Sequence, residues 1–336
     1  MPGKTRGRTL HLLAGDVGGT NVRLAFYEAD GATLSLLFER SYASREHRGL
    51  DEILARFLDE SLFRADRLCL GVAGPVRDGR CRLTNLPWTV DARELAARFR
   101  LRGAWLLNDL EALAHALPAL GSRDLAVLTP GAEDARGNLA LIAAGTGLGE
   151  AGVHWDGSVW RPFATEGGHA SFAPESELEI ELLRFLRKRG SRVTWERLLS
   201  GPGIAAIYEF FLARAGLPAP DWYAAAREEG DPAAAITQAA SGERSHEALA
   251  TLDLFVRLYG AEAGNLALRM MATGGVFLGG GIAPKLLGRL ASSPFLEAFP
   301  GREPMRDLLE RIPVRVILHR NAALLGAARW ALVAGG

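Results

Sequence analysis

An α/β protein of two domains is what this sequence predicts, and three observations carry it. Its 336 residues exceed the size at which a single hydrophobic core usually stops growing. Short apolar runs with strand character alternate with segments whose apolar residues recur at helical spacing. One local pattern, an apolar strand, a tight glycine turn with a threonine and a second strand, occurs twice, over 10–27 and over 139–155.

The first of these turns is Ala14-Gly15-Asp16-Val17-Gly18-Gly19-Thr20-Asn21. Strands flank it on both sides, so it is a hairpin tip, unlike a dinucleotide fingerprint, whose glycines open a helix. Gly18 and Gly19 let backbone N–H groups approach a polyphosphate, and Thr20 and Asn21 add side-chain donors. Asp16, at the end of its strand, can hold a hydrated Mg²⁺ against those phosphates. Taken alone, an ordinary Gly-Gly hairpin accounts for the stretch equally well.

The strand pattern continues over 34–42, and Leu50, Ile53, Leu54, Phe57 and Leu58 then mark a crossover helix. A short strand over 67–72 ends at Gly74-Pro75, and Asp78-Gly79 signals a type I′ hairpin. Cys69 and Cys81 fall in these strands as small buried hydrophobes, and with only two cysteines a disulfide framework or structural zinc is not expected. After a loop over 84–88, Asp91 with Glu94 opens a helix to Phe99 in the manner of a capping box. The strand over 104–107 delivers Asn108-Asp109 at its carboxyl end, before a helix over 110–117. That junction suits catalysis in α/β proteins, yet Asp109 serving as N-cap is reason enough for an acid there.

The second turn is Gly145-Thr146-Gly147-Leu148-Gly149. Two such turns point to two related half-domains gripping opposite sides of one phosphate chain. Glu166-Gly167-Gly168-His169, in a loop between Pro162 and Pro174, offers an acid and an imidazole to hydroxyl groups; a surface ion pair or half a metal site fits equally well. A helix spans 176–188, and another starting near Thr194 places Glu196 in its first turn, where the helix dipole alone favours a carboxylate. The stretch 203–273 is mostly helical, with Asp231-Pro232 as N-cap and N1, and Gly260 and Gly264 mark close helix packing. Then come a buried strand, the loop Gly279-Gly280-Gly281 and a helix with Pro284 near N1, where a nucleobase or ribose can lie on bare backbone. A strand over 314–318 and a helix capped by Asn321, running to 332, bring the chain end back onto the first domain.

Lys+Arg 39 against Asp+Glu 39 leaves no net charge to draw nucleic acid or an acidic membrane. Lys4, Arg6 and Arg8 precede an apolar run too short for a signal peptide, and no apolar stretch is long enough to span a bilayer. A cytoplasmic protein with a frayed basic start is expected.

Taken in order, Gly15-Asp16-Val17-Gly18-Gly19-Thr20-Asn21, Leu107-Asn108-Asp109, Gly145-Thr146-Gly147-Leu148-Gly149, Glu166-Gly167-Gly168-His169, the run from Glu196 to Gly203, and Gly279-Gly280-Gly281-Ile282 resemble the bacterial glucokinase family. This family sits in the superfamily of sugar kinases, actin and heat-shock ATPases, and the resemblance runs from about 10 to about 332. It implies two RNase H-like domains flanking a cleft: a small one over 1–118 plus 319–336, and a large one over 119–318 with extra helices. By resemblance Asp109 is the general base for the sugar 6-hydroxyl, and Asn108, Asp109, Glu166, His169 and Glu196 bind the sugar. Gly18 to Asn21 and Gly145 to Gly147 match the phosphate loops, and Gly279, Gly280 and Gly281 the adenosine side. The implied activity is transfer of the γ-phosphate of ATP, with Mg²⁺, to glucose, by a homodimer. A kinase of another hexose or amino sugar shares that fold. So does a non-catalytic actin-like nucleotide switch, which has no need of the acceptor-side residues. Two departures stand out: Glu150 occupies a place where such kinases more often carry a small or apolar residue, which puts phosphate binding there in question, and no Cys/His zinc motif follows His169.

Overall fold

The computed structural model describes residues 9–334 except Asn85, Ser191 and Glu243. The basic start with Lys4, Arg6 and Arg8, and Asn85 of the 84–88 loop, lie outside the described residues. The chain divides into two compact units, one made of the described residues up to Gly121 together with those from His319 onward, the other of Ser122–Leu318.

In the smaller unit, β1 (Leu10–Val17) and β2 (Asn21–Asp30) form the first hairpin, with Val17 opposite Val22, and β3 (Thr33–Ala43) continues the meander. The crossover helix α1 (Leu50–Ser61) leads to β4 (Arg67–Val72), parallel to β1. A small side sheet follows: β5 (Val76–Arg77), β6 (Arg80–Arg82) and β7 (Thr89–Asp91), the last unforeseen in the loop reading. Asp78 at φ 51° and Gly79 at φ 75° make its I′ turn. Asp91 caps α2 (Ala92–Arg98) through the Arg93 and Glu94 N–H groups, while the Glu94 carboxylate lies 3.9 Å from Arg80. The strand β8 (Gly103–Asn108) then feeds α3 (Asp109–Ala116).

The resulting order is β3-β2-β1-β4-β8, with β1, β4 and β8 parallel. One face is covered by α1 and α2, whose Ile53, Phe57 and Leu95 pack with Phe26 and Leu70 of the sheet. The other carries Leu12, Ala14 and Cys69 beneath α3 and the closing helix Ala322–Val333. Each large apolar side chain so buried contributes roughly 1.5–3 kcal/mol. At Gly326 any side chain would overlap the Ala112 carbonyl, so glycine there brings α3 and the closing helix together. Asn321 stands at that helix's N-cap position but does not cap it; its amide donates to Glu39 instead.

The larger unit opens with β9 (Leu125–Thr129), then β10 (Leu139–Ala144), β11 (Leu148–Trp155) and β12 (Trp160–Thr165). Pro162, placed in a loop by its sequence context, sits on β12, the edge strand, where a missing N–H is tolerated. The helices α4 (Glu177–Arg187), α5 (Gly201–Ala215), α6 (Asp221–Glu229), α7 (Pro232–Ser241) and α8 (His246–Met270) follow. Next come β13 (Gly275–Gly279), the short α9 (Leu287–Leu290), α10 (Ser293–Ala298) and α11 (Arg306–Glu310), and β14 (Val314–Ile317). The sheet order is β12-β11-β10-β13-β14-β9. Its first five strands repeat the order and sense of the smaller unit's sheet, with β10, β13 and β14 parallel. This is the RNase H-like arrangement in duplicate, with the extra helices in the larger unit. In α8, Gly260 and Gly264 face the carbonyls of Phe295 and Phe299, so backbone packs on backbone where the sequence called for close helix contact.

Two expected helices are corrected. Thr194 does not open an α-helix: Trp195–Arg197 is a single 3-10 turn, and α5 starts at Gly201 with Ser200 capping Gly203 N–H. Nor does Pro284 start one. Gly280, at φ 80°, presses on Ala144, and Ile282 N–H bonds the Ala144 carbonyl, which holds 280–286 in successive turns until α9.

Candidate active site

On the smaller unit the candidate residues stand at the carboxyl ends of parallel strands, where α/β proteins place ligands. Asp16 pairs with Gly71 of β4, and Val72 of β4 pairs with Asn108 of β8. Gly71 permits the approach of α3, since a Cβ there would be 2.9 Å from the Ala112 methyl. The N-cap of α3 is Asn108, not Asp109: its side chain accepts Leu110 N–H at 3.0 Å. Asp109 is the first helical residue, and its Oδ1 also accepts Leu110 N–H, at 2.9 Å. Cys81 lies close enough that Asp109's negative charge, after burial, raises its thiol pKa.

The hairpin turn is tied down from within. Gly18 N–H bonds Asn21 O at 3.0 Å, and the fully buried Ser44 donates its hydroxyl to Gly18 O and its N–H to Thr20 O. Gly18 N–H is therefore spent on the turn, and the N–H groups of Gly19 and Thr20 are the ones with no protein partner among the described residues. Asp16 Oδ2 is held by Arg23 Nη2 at 2.5 Å, and Arg23 also reaches the Arg320 carbonyl. No residue among those described bonds Oδ1, which leaves it able to accept a metal-bound water.

On the larger unit the second turn is likewise closed by its own backbone. Gly145 N–H closes onto Gly147 O at 2.9 Å, and Thr146 and Gly147 N–H groups have no protein partner among the described residues. A Cβ at Gly145 or Gly281 would meet nothing within 4 Å, so the protein itself gives no reason for glycine there; open space beside bare backbone suits a phosphate or ribose. Gly147 differs, because a Cβ would lie 2.5 Å from Glu196 Oε2.

Glu196 links the parts of this unit. Its Oε2 accepts Leu148 N–H at 3.1 Å, beside the turn, and its Oε1 lies 3.9 Å from His169 Nδ1. His169 Nε2 lies 3.9 Å from Glu166 Oε2. Three side chains separated in sequence thus converge, while Gly201 N–H bonds Gly145 O and the Gly280 turn rests on Ala144. Both loop glycines press on β11, Gly167 against Glu150 and Gly168 against the Leu148 carbonyl. Glu150 itself is 1% exposed and lies beneath that loop.

The glucokinase family model matches residues 13–334. The glucokinase of Trichormus variabilis is 38% identical, over 94% of this chain and 97% of that protein. The chain belongs to the glucokinase family. Among solved structures, a glucokinase from an Antarctic psychrotroph superposes with a TM-score of 0.85 at 33% identity, over 96% of this chain and 98% of that one. A glucokinase of the ROK family from Streptomyces griseus, solved with glucose and AMPPNP, shares the fold at a TM-score of 0.65 and 20% identity, over 96% of this chain and 99% of that one. Family and fold together make this an ATP-dependent sugar kinase of the actin-like ATPase fold. No helix among the described residues is long and apolar enough to cross a membrane, and none of their acidic, histidine and cysteine side chains cluster as a metal site.

Arg23 and Ser44, which brace the first turn, escaped the sequence reading. Arg23 lies opposite Asp16 in a hairpin register, a signal that was available. Nothing local marks Ser44.

Proposed function

We propose that this chain transfers the γ-phosphate of ATP to the 6-hydroxyl of glucose, giving glucose 6-phosphate and ADP without a covalent intermediate. The observation that carries the reading is Glu196, whose one carboxylate joins the Gly145–Gly147 turn to His169 and Glu166. A nucleotide switch would need the turn and not the hydroxyl acceptors.

Phosphoryl transfer depends on in-line positioning and charge stabilisation. In this reading the unspent N–H groups of Gly19, Thr20, Thr146 and Gly147 hold phosphate oxygens, and Gly279, Gly280 and Gly281 border the adenosine. Asp16 Oδ1 would hold, through water, the Mg²⁺ that accompanies ATP, and that ion would supply neutralisation of the phosphate charge. Glu166, His169 and Glu196, with Asn108, bind sugar hydroxyls. Asp109 takes the proton of the 6-hydroxyl as the O–P bond forms, which contributes about 10²–10⁴-fold. We take the protein to work as a cytoplasmic homodimer.

A coupled assay with ATP and a panel of hexoses and amino sugars tests this, together with Glu196→Gln and His169→Ala. Glucose is expected as the preferred acceptor, with both variants raising its KM far more than that of ATP, since a site that hydrogen-bonds a substrate hydroxyl penalises a mismatched partner heavily. Preference for another sugar would revise the substrate, and equal effects on both KM values would break the assignment of the cluster.

A further inference from the structure

The reaction as proposed leaves Glu150 without a role, although it is an acid buried against the sugar-side loop. It pairs with Ile142 on β10 and Thr165 on β12, and Thr165 ties its backbone to the loop by bonding both Glu150 O and Gly167 N–H. A Cβ on Gly167 would lie 2.7 Å from the Glu150 Cδ, so the carboxyl fills the place of a side chain under the loop.

On its other side the carboxyl faces α8. Oε2 is 3.5 Å from Arg269 Nη2, but that guanidinium makes its shorter ion pair with Glu262, which also accepts from Asn265. Tyr259, on the same helix, is near enough to feel the charge of Glu150, and the loop contributes Glu166 and His169. Glu150 Oε1 is buried with no hydrogen-bond partner among the described residues. Two buried acids share one half-exposed guanidinium. Burial, then the charge of Glu262, push the Glu150 carboxyl up to about 8, with Arg269 opposing. Burial and the second acid thus favour the uncharged form, and an ion there would lack both solvent and a second donor.

We propose that Glu150, as an uncharged acid wedged beneath Gly167, is the positioning residue of the 166–169 loop, and that its ionisation lifts the loop and draws His169 away from Glu196. Only the consequence for glucose rests on the kinase reading; the loop displacement does not.

The test compares wild type with Glu150→Gln, which keeps the size and fixes the uncharged form. The first readout is amide hydrogen exchange of His169 and Ala170, whose N–H groups close the loop onto Glu166 O and Gly167 O at 3.0 and 2.9 Å. In ligand-free protein the ratio of wild-type to variant exchange should be near one at about pH 7 and climb several-fold by about pH 9, since a group titrating near 8 is then mostly ionised. The second readout is kinetic: wild-type glucose KM should rise several-fold over that range while ATP KM and kcat change little, and the variant's glucose KM should stay level. A flat exchange ratio, or a variant that follows the wild-type pH profile, would overturn the proposal. A wild type that phosphorylates no hexose would instead overturn the kinase reading, with the exchange ratio still deciding the role of Glu150.

Discussion

Glu196 Oε2 accepts the backbone N–H of Leu148 at 3.1 Å, and this one bond fastens the Gly145–Gly147 turn of the larger unit to the cluster of Glu196, His169 and Glu166. It also explains the composition of the turn. Gly147 is glycine because Glu196 occupies the place of its side chain, whereas Gly145 faces open space.

The two glycines should therefore fail differently. Gly147→Ala displaces Glu196 and should raise glucose KM by about tenfold or more, a loss of about 1.4 kcal/mol. Gly145→Ala meets no protein atom, so it should melt like wild type while raising ATP KM, because its methyl intrudes on the proposed phosphate position. Steady-state kinetics with thermal melts checks both. An unaffected ATP KM in Gly145→Ala would remove the turn from the phosphate site.

Helix packing offers a test of stability. At Gly264 an added methyl would run into the Phe299 carbonyl, and backbone cannot swing aside as a side chain does. Gly264→Ala should cost about 1–3 kcal/mol through overpacking, against a gain of about 1 kcal/mol in helix propensity. Gly288, in α9 with nothing within 4 Å, should show the gain alone on substitution by Ala. Urea midpoints of the two variants should move in opposite directions.

Acid should weaken the smaller unit through His115. Burial, then the Arg329 charge, lower its imidazole pKa to about 4, its Nε2 is buried with no partner among the described residues, and its ring lies 4.8 Å from that of Trp330. Below about pH 6.5 the unfolded histidine binds a proton that the folded one refuses, so this contribution is complete above that pH and is lost as pH falls toward 4. The loss reaches up to about 3 kcal/mol. Stability measured across this window should fall less steeply for His115→Gln than for wild type; equal slopes would mean the imidazole is not held neutral.

What the sequence made legible was local. The β1–β2 hairpin, the Asp78-Gly79 turn, the Asp91 and Asp231 caps and the close approach at Gly260 and Gly264 follow from backbone chemistry and spacing alone. What it hid depends on partners distant in the chain. Asn108 rather than Asp109 caps α3 because the first helical residue is set by where β8 ends on the sheet. Glu196 looked like a first-turn acid answering a helix dipole, but its partners are Leu148 and His169, and only a single 3-10 turn forms there, not an α-helix. Pro284 carried a helix signal that the contact of the Gly280 turn with Ala144 overrides. Glu150 came into question for phosphate binding because its neighbour in sequence is the turn; its side chain is buried beneath Gly167.

The most direct test of the account is the Asp109→Asn variant, assayed for turnover and, separately, for glucose binding by titration calorimetry. Asparagine keeps the shape and can still accept Leu110 N–H, as Asp109 does at 2.9 Å, but it has no basic oxygen to receive the proton of the 6-hydroxyl. The account predicts that kcat falls by about 10²-fold or more while glucose affinity stays within a few-fold of wild type. Turnover above about a tenth of wild type would contradict it, because a general base in phosphoryl transfer cannot be lost so cheaply.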